Sequence, residues 1–308
     1  MRIIREPEKL LSRSEAVAAC ERAFRAVAGR RWHPAHSESI ELPSGRVSSV
    51  LSFDDDHGAF VRSEECAGQG WIWIERPPGE VIAMVHREPI DRMRGWAVSA
   101  LATKLLAVPE AATLGVIGTG IQARRHVHAV MGVRKIKRIL AAGRDLARAQ
   151  AFVASLAGEL GPDIAIEATI PGRAADLSDV LCVCTGASAP VVYGNEIRKG
   201  SHVNAVGSRE FDRRELDTNA ILRSKVFIED REMGFTRAGD LRIPVEEGRV
   251  DPAAYSTDLG DLLTGKKAGR TKEGDITLFK SVGHPAAEFY LAVAAFEKAL
   301  ALKVGSEV

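Results

Sequence analysis

The sequence is poor in cysteine and carries almost no net charge. Four cysteines in 308 residues are too few for a disulfide-stapled secreted scaffold. A chain of this length buries an adequate core without disulfides or a structural metal. Lysine plus arginine number 42 against 41 aspartate plus glutamate, a formal charge of +1, so nothing in the overall charge favours nucleic acid as a partner. No run of 18 apolar residues occurs, and no membrane span is expected. The opening MRIIRE leads into a charged amphipathic stretch that lacks the apolar core of a signal peptide, so a cytoplasmic location is expected. Internal repeats and low-complexity tracts are also missing. What is present is a globular composition, 45% hydrophobic and 27% charged, at a length that fits about two domains.

The pattern changes along the chain. Ser12 or Ser14 is placed to cap a helix over about 15–28. Short alternating runs (SIEL, RVSSVLSF, AFVRSE, GWIWIE, EVIAMVH) separated by turns predict a meandering antiparallel sheet. An Ala- and Leu-rich helix is expected over 94–106, opened by Arg94. After Pro109, short buried strands alternate with helices: LGVIGTG, RILAAG, DVLCVCTG, HVNAVGS and KVFIED. This alternation predicts a parallel sheet covered on both faces. A strongly apolar last helix over about 286–303 must pack on something, and the N-terminal part is the expected site.

Gly118-x-Gly120-x-x-Ala123 falls between a predicted strand and a predicted helix. The first glycine permits the turn, the second admits a pyrophosphate to the backbone, and the small third residue lets helix and strand pack closely. Phosphate would sit on the helix N-terminus. The second strand ends Ala141-Ala142-Gly143-Arg144 without a carboxylate. Either Arg144 pairs with a 2′-phosphate, which favours NADP(H) over NAD(H), or it is a solvated loop residue while Asp145 caps the next helix.

Three stretches, together with VNAVGS at 203–208, resemble the ornithine cyclodeaminase/μ-crystallin family: Asp91–Ala102, GVIGTGIQA at 115–123 and GDITLFKSVG at 274–283. The similarity runs from about residue 79 to the end. It implies an α/β homodimer in which a β-rich substrate and dimerisation domain (1–108, completed by 286–308) carries an inserted Rossmann dinucleotide domain (109–285). It also implies hydride exchange between a nicotinamide and the α-carbon of an imino or amino acid.

The resemblance makes Arg94 the candidate for holding the substrate carboxylate and contacting the cofactor; the bland alternative is an interdomain salt bridge. Gly95 stands where the family carries threonine. Arg62 falls near the family's strand lysine, and an arginine cannot donate a proton near neutral pH. His36 falls near a second family arginine, or is a surface histidine. Arg209 replaces the aspartate of ornithine cyclodeaminase itself, and its positive charge disfavours a diamine. Gly118, Gly120, Ile121, Gln122, Ala123, Arg144, Thr185, Gly186, Val206, Gly207 and Ser281 are the expected cofactor contacts, with Val282 beside the substrate. Lys280 has a solvated charge as its alternative reading, and His284-Pro285, in place of an apolar-Ala pair, suggests a remodelled pocket. The proton donor is unassigned, Glu64 and Glu65 being guesses.

Metal readings are weak. Cys182 and Cys184 share a strand face but belong to an apolar run, Cys66 reads as a bland thiol, and Asp54-Asp55-Asp56-His57 reads as a solvated turn. The expected activity is an NAD(P)H-dependent imino- or amino-acid reductase or dehydrogenase acting on a small anionic substrate. Arg62 and Arg209 hint at a second carboxylate on it. The rivals are a true cyclodeaminase and a catalytically silent, dinucleotide-binding crystallin-type protein.

Overall fold

The computed structural model describes every residue except 44, 67–68, 209, 230–237 and 308, with the side chains of 35, 36, 45 and 46 also set aside. The elements run β1 (Arg2–Ile4), α1 (Arg13–Ala28), β2 (Trp32–Leu42), β3 (Gly45–Asp54), β4 (Ala59–Cys66), β5 (Gln69–Arg76), β6 (Glu80–His86) and α2 (Arg87–Leu106). There follow β7 (Thr113–Ile117), α3 (Ile121–Met131), β8 (Arg138–Ala142), α4 (Leu146–Leu160), β9 (Ala165–Thr169), α5 (Pro171–Leu177), β10 (Val180–Val183) and β11 (His202–Ala205). The chain ends with α6 (Thr218–Leu222), β12 (Ser224–Ile228), α7 (Gly239–Glu246), α8 (Leu259–Leu263), β13 (Ile276–Lys280), α9 (Pro285–Leu302) and β14 (Ser306–Glu307).

The chain divides into two compact units, Met1–Val98 with His284–Val308, and Ser99–Gly283. The division falls inside α2, whereas the change of sequence pattern lies after residue 108. Helix α2 also begins seven residues before Arg94, contrary to the expected start. Pro89 lies in its first turn, where a missing N–H costs no hydrogen bond. Arg94 is therefore two turns inside the helix rather than at its opening.

In the first unit, β2 to β6 form an antiparallel meander, with β1 parallel to β6 and β14 antiparallel to β1. Alternation gives the sheet one buried face, with Val61, Ile72, Ile74, Ala83 and Val85 all nearly inaccessible. Helix α9 lies against β5 and β6 and packs along α1, which accounts for its apolar sequence. Ser12, not Ser14, caps α1: its hydroxyl accepts from the Glu15 amide at 3.3 Å while the Glu15 carboxylate accepts from the Ser12 amide at 2.8 Å.

In the second unit, all described strand pairs are parallel, in the order β12-β13-β11-β10-β7-β8-β9. This is the doubly wound α/β arrangement expected from the alternation. β7 starts the sheet, β8 and β9 extend it one way, and β10 and β11 extend it the other. The order therefore reverses between β7 and β10, the place where such sheets bind ligands at the carboxyl ends of their strands. The sequence pattern did not separate out β13, which inserts between β11 and β12. Apolar clusters cover both faces of the sheet, one around Leu140, Leu181 and Leu278 and the other around Val116, Val127 and Leu156.

Candidate functional site

Most of the expected cofactor residues of the second unit lie at the carboxyl edge of its parallel sheet. Gly118 follows β7, Arg144 follows β8 by two residues, Thr185 and Gly186 follow β10, Val206 and Gly207 follow β11, and Ser281 and Val282 follow β13. Gly118 has φ +120°, and a Cβ there would overlap the Cys184 carbonyl, so this turn requires glycine. Gly120 is the N-cap of α3, has an extended backbone, and is not assisted by a side-chain cap. A Cβ on Gly120 would meet nothing within 4 Å. Ala123 is fully buried against the sheet, Ile121 is exposed, and Gln122 buries an amide oxygen that has no hydrogen-bond partner among the described residues. An uncapped helix start, open space over a glycine and an orphaned amide fit the pyrophosphate of a nicotinamide dinucleotide.

Acidic residues to which the sequence assigns no role hold this edge in shape. Glu215 is fully buried, and its carboxylate accepts from the Thr185 amide (2.6 Å), the Thr185 hydroxyl (2.7 Å), the Gly207 amide (2.7 Å) and the Ser208 amide (3.2 Å). It therefore ties the turn after β10 to the turn after β11. Burial pushes its carboxyl up, opposed by Lys280 and by the Thr185 donors. Asp240 of α7 accepts from the Glu215 amide at 2.7 Å and from Lys280 Nζ at 2.7 Å. Lys280 and Asp240 are both wholly buried, so Lys280 is no solvated charge. Buried Glu229 accepts from the Ser281 hydroxyl at 3.0 Å, the Val282 amide at 2.9 Å and the Gly283 amide, fixing the turn after β13. The Val282 side chain itself packs in an apolar cluster of this unit.

Beneath the sheet edge runs a line of buried polar groups. Asn204 Nδ2 donates to the Thr103 hydroxyl at 2.9 Å, and its Oδ1 lies 3.3 Å from His202 Nε2. His202 Nδ1 is 3.0 Å from the Thr277 hydroxyl. Burial lowers the His202 pKa to about 3, so the ring is neutral. Cys182 is pushed up to about 12 and Cys184 well above the ordinary thiol value, burial being the main cause. No group of three or more acidic, histidine or cysteine side chains that could hold a metal occurs among the described residues.

In the first unit, Arg94 is 2% exposed. It pairs with Asp91 of its own helix and, through Nε at 3.4 Å, with Glu288 of α9. Arg87, two turns earlier, reaches Glu288 at 3.2 Å and also pairs with Glu65. Arg62 lies elsewhere. It stacks over Trp73 at 4.9 Å and faces Glu75 at 3.3 Å and Glu64 at 3.5 Å. Strand alternation puts it on the face of β4 opposite Glu65. Backbone register sets His36, Leu51, Arg62 and Trp73 in one cross-strand row, although the His36 side chain is outside the described residues. Arg209 is outside them altogether.

One further reading changes. Asp54-Asp55-Asp56-His57 is only partly a solvated turn. Asp54 is fully buried and accepts from Tyr290 Oη at 2.8 Å and from the His57 amide at 3.0 Å, while His57 Nδ1 lies 2.5 Å from it. Tyr290 Oη also reaches Asp56 at 3.0 Å. The turn is thus anchored to α9. His284 is the N-cap of α9, accepting the Ala286 amide on Nδ1 at 3.1 Å and meeting Phe24 edge-on at 5.7 Å. Among the described residues no helix is long and apolar enough to cross a membrane.

Known proteins match this arrangement over most or all of the chain. Residues 72–303 match the Ornithine cyclodeaminase/mu-crystallin family. A Delta(1)-pyrroline-2-carboxylate reductase of Bacillus thuringiensis subsp. konkukian is 36% identical over 231 residues, 75% of this chain and 70% of that protein. The Delta(1)-pyrroline-2-carboxylate reductase of Thermococcus litoralis, solved with NADH and L-proline, is 32% identical with a TM-score of 0.91 over the whole of both chains. An archaeal alanine dehydrogenase dimer with bound NAD is 25% identical with a TM-score of 0.90, covering 100% of this chain and 98% of that one. By sequence and by fold alike, the chain belongs to the ornithine cyclodeaminase/mu-crystallin family.

Proposed function

We propose that this protein is an NAD(P)H-dependent reductase of a small imino acid, with Delta(1)-pyrroline-2-carboxylate the best-supported substrate. The observation that carries the reading is the full-length likeness to a reductase solved with NADH and L-proline, together with a carboxyl sheet edge whose glycines and orphaned amide suit a dinucleotide. When bound, the dinucleotide supplies a hydride to the imine carbon, and the imine nitrogen takes a proton, giving the cyclic amino acid. The edge residues orient the cofactor: Gly118, Gly120, Ile121, Gln122 and Ala123 at the pyrophosphate, Thr185-Gly186 and Val206-Gly207 along the ribose side, and Ser281 with Val282 at the nicotinamide end. Arg94 holds the substrate carboxylate, its planar fork matching two oxygens and fixing the α-carbon for attack.

NADP(H) is favoured over NAD(H). Arg144 is exposed two residues beyond β8, and the neighbouring Asp145 carboxylate is occupied as the cap of α4, accepting the Arg148 amide at 2.8 Å. The protein acts as a homodimer. The sheet face that carries exposed Leu51 and Phe60 together with the Arg62–Trp73 stack is apolar enough to be covered by a second copy.

The test is oxidation of NADPH and of NADH by the purified protein with Delta(1)-pyrroline-2-carboxylate. Mono- and dicarboxylic 2-oxo acids with ammonia are run alongside, and ammonia release from ornithine is measured separately. Turnover of the cyclic imine above all others is expected, and Arg94→Ala should lower kcat/KM by at least about a hundredfold. Ammonia release from ornithine without imine reduction would overturn the reading.

A further inference from the structure

Arg87 and Arg94 stand seven residues apart on α2, so both project from one side of the helix. They converge on a single carboxylate from another element. Glu288 of α9 takes Arg87 Nε at 3.2 Å and Arg87 Nη2 at 3.4 Å, and faces Arg94 Nε at 3.4 Å. Asp91 closes the cluster on Arg94, and Glu65 of β4 closes it on Arg87. Glu288 is 8% exposed. A buried ion pair contributes little net stability compared with well-packed apolar side chains, so its presence needs another reason. A guanidinium held between the carboxylates of Asp91 and Glu288 has a constrained plane, and a constrained plane is what two-point carboxylate binding requires.

We propose that Glu288 is a positioning residue: it sets the plane of the Arg94 guanidinium, and it takes up a proton when a substrate carboxylate joins that guanidinium. The inference rests on the assignment of Arg94 to the substrate carboxylate. The charged groups facing Glu288 are Arg87, Arg94 and Asp91 from α2 and Glu65 from β4. On α9 the ionisable side chain one turn earlier, His284, is engaged with the Ala286 amide. Burial is the main influence raising the Glu288 carboxyl, the two guanidinia oppose it, and Asp91 and Glu65 add to it. A further anion at Arg94 raises it again. Substrate affinity should therefore improve as pH falls through the titration of Glu288.

Steady-state kinetics of full-length protein with Delta(1)-pyrroline-2-carboxylate across pH 5–9 test this for wild type, Glu288→Gln, Glu288→Ala, Glu288→Asp and Arg94→Ala. NADPH affinity by fluorescence and thermal melts serve as controls of folding. Glu288→Gln should keep kcat within about threefold and flatten the pH dependence of KM. Glu288→Ala should raise KM at least tenfold with a smaller effect on kcat, and Glu288→Asp should recover part of the loss. If Arg94→Ala raises KM while Glu288→Gln and Glu288→Ala leave KM and its pH profile as in wild type, the positioning role of Glu288 is overturned. If Arg94→Ala itself leaves KM unchanged with NADPH still bound, it is the assignment of Arg94 that fails, and this inference with it.

Discussion

Glu215 and Gly207 meet at a 2.7 Å hydrogen bond, and a Cβ on Gly207 would overlap both the Thr185 carbonyl and the Glu215 carboxylate. The turns after β10 and β11 are thus drawn together on one buried carboxylate with no room for a side chain between them. Replacing Glu215 by alanine leaves four donors facing a void. The expected cost is about 3 kcal/mol of stability, with NADPH affinity reduced at least tenfold. Urea unfolding and cofactor titration measure both. A variant that binds NADPH as wild type does would show that the edge holds its shape without this carboxylate.

Arg144 decides cofactor choice if its guanidinium meets a 2′-phosphate. Arg144→Glu replaces attraction by repulsion, so kcat/KM for NADPH should fall by at least tenfold relative to that for NADH. Equal losses with both cofactors would assign Arg144 to general folding or to the shared part of the dinucleotide.

His202 links pH to stability. Its folded pKa, lowered to about 3 by burial, lies below the unfolded value near 6.5, so the unfolded chain binds the extra proton between those limits. Stability from this group is complete above pH 6.5 and is lost as pH falls toward 3. The wild-type Tm should drop by about 5 °C more than that of His202→Asn between pH 6.5 and 4.5. Parallel curves for the two proteins would refute the linkage.

Tyr290 holds the turn 54–57 to α9 through bonds of 2.8 and 3.0 Å to Asp54 and Asp56. Phenylalanine fills the same space but leaves the buried Asp54 with one donor fewer. Tyr290→Phe should cost about 1–3 kcal/mol in chemical unfolding, with kcat and KM near wild type. An unchanged unfolding midpoint would mean water replaces the hydroxyl without loss.

Local signals account for much of what the sequence showed. Gly118-x-Gly120 reads as strand, turn and helix because its neighbours carry period-two and period-3.6 patterns. A capping serine before the first helix is legible from local spacing, whereas the choice of Ser12 over Ser14 rests on its exchange of bonds with Glu15. Helix α2 starts seven residues before Arg94, and Pro89 is accommodated because it lies in the first turn, where its missing N–H breaks no hydrogen bond. β13 was hidden because its partners β11 and β12 lie some 50 to 70 residues upstream.

The supporting carboxylates were illegible for a different reason. Glu229, Asp240 and Glu288 stand in ordinary polar contexts with no diagnostic spacing, and Glu215, though it falls in the family-like ELD at 215–217, acquires its duty as they do from donors brought in by other elements. Lys280 and Asp54 were misread for the same cause: a charge looks solvated until its partner is known.

By itself the sequence determined the class of fold, the glycine loop and the family, since these depend on residue types at short fixed intervals. Only the tertiary structure decided that Arg94 shares Glu288 with Arg87, that Arg62 belongs to the other face of β4, and that Glu215 binds two turns into one edge. Those facts depend on which side chains meet across elements, and a meeting of that kind has no spacing to read.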